Sequence, residues 1–294
     1  MSYILTLVCH PATPALMPRL LDDVRTLTHG ALRVLAEGIA AEVETAKPLS
    51  AETLQAIREL TENLPIDIAA QAAAGREKKL LIADMDSTII QQECLDELAA
   101  FAGKQAEISA ITERAMHGEL DFEAALRERV SMLAGLPASK LDETLEQRIT
   151  LTSGATELVR TMNARGAMTA LVSGGFTYFT HRIAQAVGFL ENQGNVLTIR
   201  DGLLTGDLEE PIFGRAAKKE ALENICTLEG LTPAEALAVG DGANDLDMLQ
   251  AAGTGVAFHA KPIVAEAARI RIDHADLTAL LYLQGIPKAE FITA

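Results

Sequence analysis

The alternation of short apolar runs with helical stretches from residue 80 onward is the feature that most restricts the fold of this chain. Four runs predict strands, at Leu80–Asp84, Ala167–Ser173, Ala236–Gly240 and Gly255–Phe258. The residues between them have helical periodicity, as in Gly154–Arg165. Strands that alternate with helices form a parallel sheet with helices on both faces, so the sequence predicts an α/β core.

Two segments interrupt this alternation. Residues 93 to about 152 carry no strand signal, and their periodicity predicts several amphipathic helices inserted between the first and second strands. Residues 195–209 predict a hairpin, because apolar positions flank Asp201-Gly202, a dipeptide typical of tight β-turns. We therefore expect a helical unit and a small hairpin attached to the core.

Residues 1–75 have a pattern of their own. They predict strands at Ile4–Val8, Ala31–Ala36, Ile39–Thr45 and Ile66–Ala69, and helices at Thr13–Leu27 and from Ser50 onward. The order β-α-β-β-α-β is that of a small ferredoxin-like α+β domain. Residues 71–79 have the composition of a linker, so we expect two domains, at 1–75 and 76–294.

The composition limits the partners and the compartment. The chain has 294 residues, 49% of them apolar, and a formal net charge of −16. A chain this acidic is poorly suited to nucleic acid or an anionic membrane, but it suits divalent cations. Three scattered cysteines show no disulfide or metal spacing, and no apolar stretch is long enough to span a membrane. These observations predict a cytoplasmic protein.

Unusual polar residues follow three of the predicted strands. Asp84 and Asp86 end the first, Ser173-Gly174-Gly175 ends the second, and Asp241 follows Gly240. Ligands bind beyond the carboxyl ends of the strands in open parallel sheets, so we expect these groups to converge on one site. Lys218 lies near the start of the helix that precedes the Ala236–Gly240 strand, and it could reach the same place.

This set of residues suits phosphoryl transfer. Asp84, Asp86 and Asp241 offer the hard oxygen ligands that Mg²⁺ prefers. A carboxylate on a rigid strand end can attack phosphorus, and a second one can move the proton of the leaving oxygen. Donors and positive charge for the phosphate oxygens would come from Ser173, Gly174 and Lys218. Taken singly, acids at strand ends are also common turn residues.

Four ordered motifs resemble those of the haloacid dehalogenase (HAD) superfamily of phosphatases: DMDST (84–88), VSGG (172–175), the Lys218 region and VGDGAND (239–245). Longer stretches, among them DMDSTIIQQECLDELA and DFEAALRERVSML, resemble the phosphoserine phosphatases of that superfamily over residues 78–290. The resemblance implies a Rossmann-like parallel-sheet core with an inserted helical cap. It also implies Mg²⁺-dependent hydrolysis of O-phosphoserine to L-serine and phosphate through a phosphoaspartate, the last step of serine biosynthesis.

The resemblance assigns a role to each motif residue. Asp84 would be the nucleophile and a metal ligand. Asp86 would be the acid/base, with its backbone carbonyl on the metal, and Asp241 would be the third protein ligand. Contacts to the phosphoryl group would come from Ser173, Gly174, Lys218 and Asn244. Asp245 would orient metal-bound water.

The substrate's amino-acid end would be bound by the helical cap. The resemblance implies that Glu93 meets the ammonium, that Arg129 meets the carboxylate and that Phe122 helps to close the cap. The residues alone do not separate Arg129 from Arg127 or Arg114. Glu93 by itself also fits an acid placed at a helix start by the helix dipole.

Two alternatives use the same residues. A phosphotransferase that moves the phosphoryl group to another alcohol, such as homoserine, would form the same aspartyl-phosphate. The N-terminal pattern resembles ACT-type amino-acid-binding modules, which implies a serine effector and a homodimer formed through this domain. The chain could then act mainly as an amino-acid sensor with a degraded phosphatase half, although the intact motifs argue against degradation.

Overall fold

The computed structural model describes residues 2–116 and 119–293, and its N-terminal part forms a four-stranded antiparallel sheet with two helices. The elements are β1 (Tyr3–Cys9), α1 (Pro18–Thr28), β2 (Ala31–Ala36), β3 (Ala40–Thr45), α2 (Ala51–Thr61) and β4 (Ile66–Ala72). The strand order is β2-β3-β1-β4, and the predicted β-α-β-β-α-β sequence is confirmed. Helix α1 begins at Pro18 rather than at Thr13, because proline favours the first helical position.

The remaining elements form the core, the inserted helices and a hairpin. In chain order they are β5 (Leu80–Ala83), α3 (Cys94–Phe101), α4 (Gln105–Met116), α5 (Phe122–Ser131), α6 (Ser139–Gln147), α7 (Ala155–Ala164), β6 (Met168–Phe176), α8 (Thr177–Val187), β7 (Glu191–Asn195), β8 (Leu197–Arg200), β9 (Leu203–Leu208), α9 (Arg215–Leu228), β10 (Ala236–Gly240), α10 (Leu246–Ala251), β11 (Thr254–Phe258), α11 (Pro262–Ala267), β12 (Ile270–Ile272) and α12 (Ala279–Leu283). The predicted fold class, a Rossmann-like parallel sheet with a helical cap and a small α+β unit, is confirmed.

The core sheet has the order β12-β11-β10-β5-β6-β7, and its strand pairs are parallel. Successive residues of β5 and β10 point to opposite faces. Leu81 and Val239 join the apolar cluster that includes α7, α8 and α12, whereas Leu80 and Ala238 pack with α9 and α10. Both faces are therefore covered, which is why these strands read as continuous apolar runs.

Two strands of this sheet were not predicted from the sequence. Strand β7 has the sequence ENQGN, which contains no apolar residue, and β12 is only three residues long. Both lie at the edges of the sheet, where pairing with one neighbour needs little apolar burial.

The residues between β5 and α7 form the helical cap, which contains α3, α4, α5 and α6. The chain enters and leaves it side by side, because Ile90 forms a β-bridge with Leu151. Strands β8 and β9 form the predicted hairpin, and Asp201 and Gly202 adopt positive φ angles of 51° and 76° in its turn. The hairpin packs on the cap, where Gly135 donates its N–H to the Leu204 carbonyl.

The N-terminal sheet is packed on both of its faces. Helices α1 and α2 cover one face, and α12 lies against β1 and β3 on the other. The buried Asp67 carboxylate accepts N–H bonds from Asp273, His274 and Ala275 at 2.8, 3.0 and 2.8 Å. The predicted division into domains at residue 75 stays a prediction.

Within the described residues, none of the helices has both the length and the apolar composition needed to cross a bilayer.

Candidate active site

Asp84 lies directly beyond β5, at the centre of the core sheet. Its N–H donates to the Val239 carbonyl at 3.0 Å, which fixes the backbone to the neighbouring strand. Its side-chain oxygen Oδ1 accepts the N–H of Met85 at 2.8 Å and lies 2.7 Å from Nζ of Lys218. Among the described residues these contacts hold Oδ1 in place and leave Oδ2 available.

The loop beyond β10 supplies two further carboxylates. Asp245 accepts N–H bonds from Asp241 and Gly242 through Oδ2, at 3.2 and 3.0 Å. Its other oxygen, Oδ1, lies 2.6 Å from Nζ of Lys218. A Cβ on Gly240 would lie 2.5 Å from Cγ of Asp245, so this position requires glycine. Asp245 therefore shapes the loop that presents Asp241.

Asp84, Asp241 and Asp245 form a buried acidic cluster in which one oxygen of each lies within 4.8 Å of the others. Lys218 is the ammonium inside this cluster and is fully buried. If all four groups are ionised, three carboxylates and one ammonium leave a net charge of −2. Oδ2 of Asp241 is buried and has no hydrogen-bond partner among the described residues. An unpartnered carboxylate oxygen in an anionic cluster fits a divalent cation of the Mg²⁺ type.

The pKa values of the cluster reflect this excess of acid. Burial, then repulsion from Asp245, raises the pKa of Asp84 well above its ordinary value, and Lys218 offsets only part of this. The same two causes raise the pKa of Asp241 to about 7. Burial alone would lower the pKa of Lys218, but the carboxylates of Asp245 and Asp84 outweigh it and raise that pKa. Lys218 is therefore charged. Without a metal ion, Asp84 and Asp241 bind protons more readily than ordinary carboxylates do.

Asp86 lies one step further along the loop and has different partners. Its Oδ1 accepts the N–H of Cys94 at 2.8 Å, and its Oδ2 accepts the Ser173 hydroxyl at 3.0 Å. Burial raises the pKa of Asp86, although these hydrogen bonds act in the opposite direction. Asp86 is therefore linked to the end of β6 rather than to Lys218, and it faces the same cavity as Asp84.

The end of β6 forms one wall of that cavity. Ser173, Gly174 and Asn244 line it, and Phe122 from the cap packs against Gly174. A Cβ on Gly174 would lie 2.7 Å from Cζ of Phe122, so only glycine leaves room for this ring. Asn195 holds the wall in place, since its Nδ2 donates to the Gly174 carbonyl at 2.8 Å.

The cap contributes one acidic and one basic side chain to the cavity, Glu93 and Arg129. Glu93 accepts the Ser87 hydroxyl at 2.7 Å, and burial, followed by repulsion from Asp86 and Asp241, raises its pKa to about 8. Arg129 is 8% exposed and lines the same cavity.

The alternative basic residues lie elsewhere. Arg127 and Arg114 are exposed and pair with Glu210 and Glu119. Lys219 is exposed and lies near Glu223, in contrast to the buried Lys218.

The cavity has a volume of about 450 Å³ and lies between the core sheet and the cap. Its lining includes most of the predicted site residues, namely Asp84, Asp86, Glu93, Phe122, Arg129, Ser173, Gly174, Asp241 and Asn244. Lys218 and Asp245 lie behind this lining and act on it through Asp84 and the loop after β10. The structure thus brings all of the predicted site residues to one place.

Several side chains that shape the site were not assigned a role from the sequence. Ser87 and Thr88 follow Asp86 directly, and their hydroxyls contact Glu93 and Asp241 at 2.7 and 3.3 Å. Their position in the first motif, DMDST, could have indicated that they lie in the site. Asn195, which holds Gly174, and Thr112, which lines the cavity, lie far from any motif, and nothing in the local sequence distinguishes them.

Comparisons with known proteins identify the family of the chain. Residues 81–250 match the family model of the haloacid dehalogenase-like hydrolases. The chain is 43% identical to a phosphoserine phosphatase of Archaeoglobus fulgidus over 244 residues, which are 82% of this chain and 70% of the relative.

Two solved structures are similar over large parts of the chain. A HAD family hydrolase from Salmonella enterica is similar, with a TM-score of 0.84 and 32% sequence identity. The matched region covers 96% of this chain and 98% of the Salmonella chain. A phospho-aspartyl intermediate analogue of phosphoserine phosphatase is also similar, with a TM-score of 0.67 and 43% sequence identity. Here the matched region covers 70% of this chain and 98% of the other chain. The chain belongs to the haloacid dehalogenase-like hydrolase family.

Proposed function

We propose that the protein is a phosphoserine phosphatase, which hydrolyses O-phosphoserine to L-serine and phosphate through a phosphoaspartate on Asp84. The observation that carries this proposal is that Glu93 and Arg129 face the same cavity as Asp84. A phosphorylated amino acid carries an ammonium, a carboxylate and a phosphate, and these three residues match its charges and its reacting atom. A similar protein was captured as an analogue of a phospho-aspartyl intermediate, which supports the proposed route.

In the first step, Oδ2 of Asp84 attacks phosphorus and the bond from phosphorus to the serine oxygen breaks. Lys218 holds Oδ1 of Asp84 at 2.7 Å, so the attacking oxygen is aimed before the substrate arrives. The leaving oxygen takes a proton from Asp86, because burial raises the pKa of this carboxyl and favours its protonated form. The products of this step are serine and a phosphorylated Asp84.

In the second step, water attacks the phosphorus of the phosphoaspartate. Asp86, now ionised, removes a proton from that water, and the bond between phosphorus and Asp84 breaks to release phosphate. The Ser173 hydroxyl lies 3.0 Å from Oδ2 of Asp86 and can keep this carboxylate oriented during both transfers. The Gly174 N–H and the Asn244 amide would bind the phosphoryl oxygens.

A Mg²⁺ ion would be held by Asp84, Asp241 and the backbone carbonyl of Asp86. When bound, it would supply positive charge that reduces the repulsion between the Asp84 carboxylate and the phosphate. Thr88 orients Asp241 through a hydroxyl contact at 3.3 Å, which leaves the unpartnered Oδ2 for the cation.

Substrate selectivity tests the proposal. We expect a strong preference for phosphoserine over phosphothreonine and a generic aryl phosphate in steady-state assays with Mg²⁺.

Arg129→Ala should lower kcat/KM for phosphoserine by about 10²-fold, since a charge-assisted bond to the carboxylate is lost, and should change the aryl phosphate rate far less. Arg127→Ala is the matched control, because Arg127 lies in the same helix and pairs with Glu210 at the surface. Equal rates on all three substrates would contradict the proposal.

We also propose that the N-terminal unit, residues 1–75, binds serine as an effector and supports a homodimer. The pattern of the region, which resembles amino-acid-binding modules, is the basis for this proposal. Serine titration of the activity and sedimentation of the full chain with and without serine are the tests.

The three cysteines are free and buried, which fits action in the reducing cytoplasm.

A further inference from the structure

Arg129 is fixed in the cap by two hydrogen bonds from different nitrogens of its guanidinium. Nε donates to the Ala125 carbonyl at 3.2 Å, and Nη1 donates to the Thr112 hydroxyl at 2.9 Å. The planar guanidinium has five N–H donors in a rigid fork, so two fixed contacts set its plane. Among the described residues, Nη2 remains available for a ligand in the cavity.

The Thr112 hydroxyl connects Arg129 to a half-buried acid, Asp96. It lies 2.9 Å from Oδ1 of Asp96 and 3.0 Å from the Ile108 carbonyl, and it accepts from Arg129. Ser109 donates to the other oxygen of Asp96 at 2.8 Å. The chain of contacts therefore runs from α3 through α4 to α5, and Thr112 itself lines the cavity.

The position of Asp96 behind Thr112 has a physical consequence. Among the residues described, no ion pair joins Asp96 directly to Arg129. Burial lowers the pKa of Arg129, and the nearby carboxylates, Asp96 first, oppose this. A direct carboxylate pair would occupy the fork and compete with an incoming carboxylate. A hydroxyl orients the guanidinium without neutralising it, so Arg129 keeps its charge for the ligand.

We propose that Thr112 is a positioning residue that sets the preference for substrates with a carboxylate, by orienting Arg129 from the Asp96 anchor. The inference rests on the proposed function, in which Arg129 binds the carboxylate of phosphoserine. Thr112 would touch no reacting atom, so its effect should depend on which substrate is used.

Thr112→Val tests this, because it removes the hydroxyl and keeps the shape of the side chain. We expect kcat/KM for phosphoserine to fall about 10-fold, mainly through KM, while kcat/KM for an aryl phosphate stays within about 2-fold. Thr112→Ser restores the hydroxyl and should recover most of the phosphoserine activity. Asp96→Asn should act in the same direction as Thr112→Val, since it weakens the anchor.

Thr144→Val is the matched control. Thr144 is a buried threonine of α6 in the same cap, and its hydroxyl donates to the Lys140 carbonyl at 2.7 Å. Its loss should leave the ratio of the two substrates unchanged. The thermal midpoint of each variant reports any general loss of cap structure.

Two results would overturn the inference alone. One is a phosphoserine kcat/KM within 2-fold of the parent in Thr112→Val, while Arg129→Ala remains impaired. The other is an equal fall on both substrates, which would indicate a merely structural role. If the parent enzyme itself does not prefer phosphoserine over the aryl phosphate, the proposed function fails, and the inference fails with it.

Discussion

Lys218 and Asp84 are joined by a buried ion pair, with Nζ 2.7 Å from Oδ1. The same ammonium lies 2.6 Å from Asp245, so one positive charge connects the ends of β5 and β10. The sequence predicts only that Lys218 could reach this site, and the contact exists because the two strands are parallel neighbours in the sheet. The nucleophile proposed here is therefore oriented by a residue that lies behind the cavity wall.

Replacing Lys218 by Met should impair both activity and stability. The buried carboxylates of Asp84 and Asp245 would lose their shared cation, so we expect about 3 kcal/mol lower free energy of unfolding. Activity should fall about 10²- to 10³-fold, since a fixed charge beside the reacting group is removed. Lys219→Met is the control, because Lys219 is exposed, and it should change stability by less than about 0.5 kcal/mol. Denaturant titration and phosphate release measure the two effects; equal behaviour of the variants would refute the assignment.

The metal-free protein should lose stability as the pH rises. Asp241 has a pKa of about 7 in the folded chain, above its unfolded value, so the folded state binds more protons between about pH 4 and pH 7. The free energy of unfolding then decreases with rising pH across that window. Mg²⁺ must displace these protons, so its stabilising effect should be larger at about pH 8 than at about pH 5.

Thermal unfolding with EDTA or with excess Mg²⁺ at these two pH values measures this dependence. Asp241→Asn is the control variant, and it should show a smaller response to Mg²⁺ at both values. A stabilisation by Mg²⁺ that is independent of pH in the parent would contradict the description of the cluster.

Gly174→Ala should obstruct the cap. The new Cβ would lie 2.7 Å from Cζ of Phe122, while the backbone N–H of residue 174 would be kept. A loss of about 10-fold in kcat/KM would then report crowding of the ring rather than a lost hydrogen bond. Phe122→Leu in the same chain provides a smaller side chain and should recover part of the loss. If the double variant is no better than Gly174→Ala, crowding by the ring is not the cause.

Asp67→Ala should weaken the attachment of the N-terminal sheet to the core. Three N–H groups, of residues 273, 274 and 275, would lose a charged acceptor in a buried position. We expect a loss of about 3 kcal/mol in the free energy of unfolding. Asp22→Ala removes an exposed acid whose pair with Arg25 should contribute little, and it serves as the control. A near-zero effect of Asp67→Ala would show that other contacts, such as those of α12 with β1 and β3, hold the sheet.

Much of the fold could be predicted from periodicity, and the reasons for the failures are physical. The strands at β5, β10 and β11 are apolar because both sheet faces are covered, so their sequence is a clear signal. Strand β7 pairs at an edge through its backbone, and its polar sequence carries no such signal.

Some site residues likewise carry a clear signal in the sequence, and others carry none. Strand-end acids such as Asp84 and Asp241 could be placed from their motifs, because topology brings strand ends together. Choosing Arg129 over Arg127 required knowing which face of α5 meets the cavity, and the sequence alone leaves this open. Asn195 and Thr112 act through long-range contacts, at sequence separations of 21 and 17 residues from Gly174 and Arg129. Tertiary structure alone identifies them.

Phosphate release by Asp84→Asn tests whether Asp84 carries the phosphoryl group of phosphoserine. The amide keeps the shape of the side chain but is a very poor nucleophile, so release from O-phosphoserine with Mg²⁺ should fall at least about 10³-fold. The variant should remain folded in thermal unfolding. If folded Asp84→Asn hydrolyses phosphoserine at a rate near that of the parent, Asp84 is not the nucleophile.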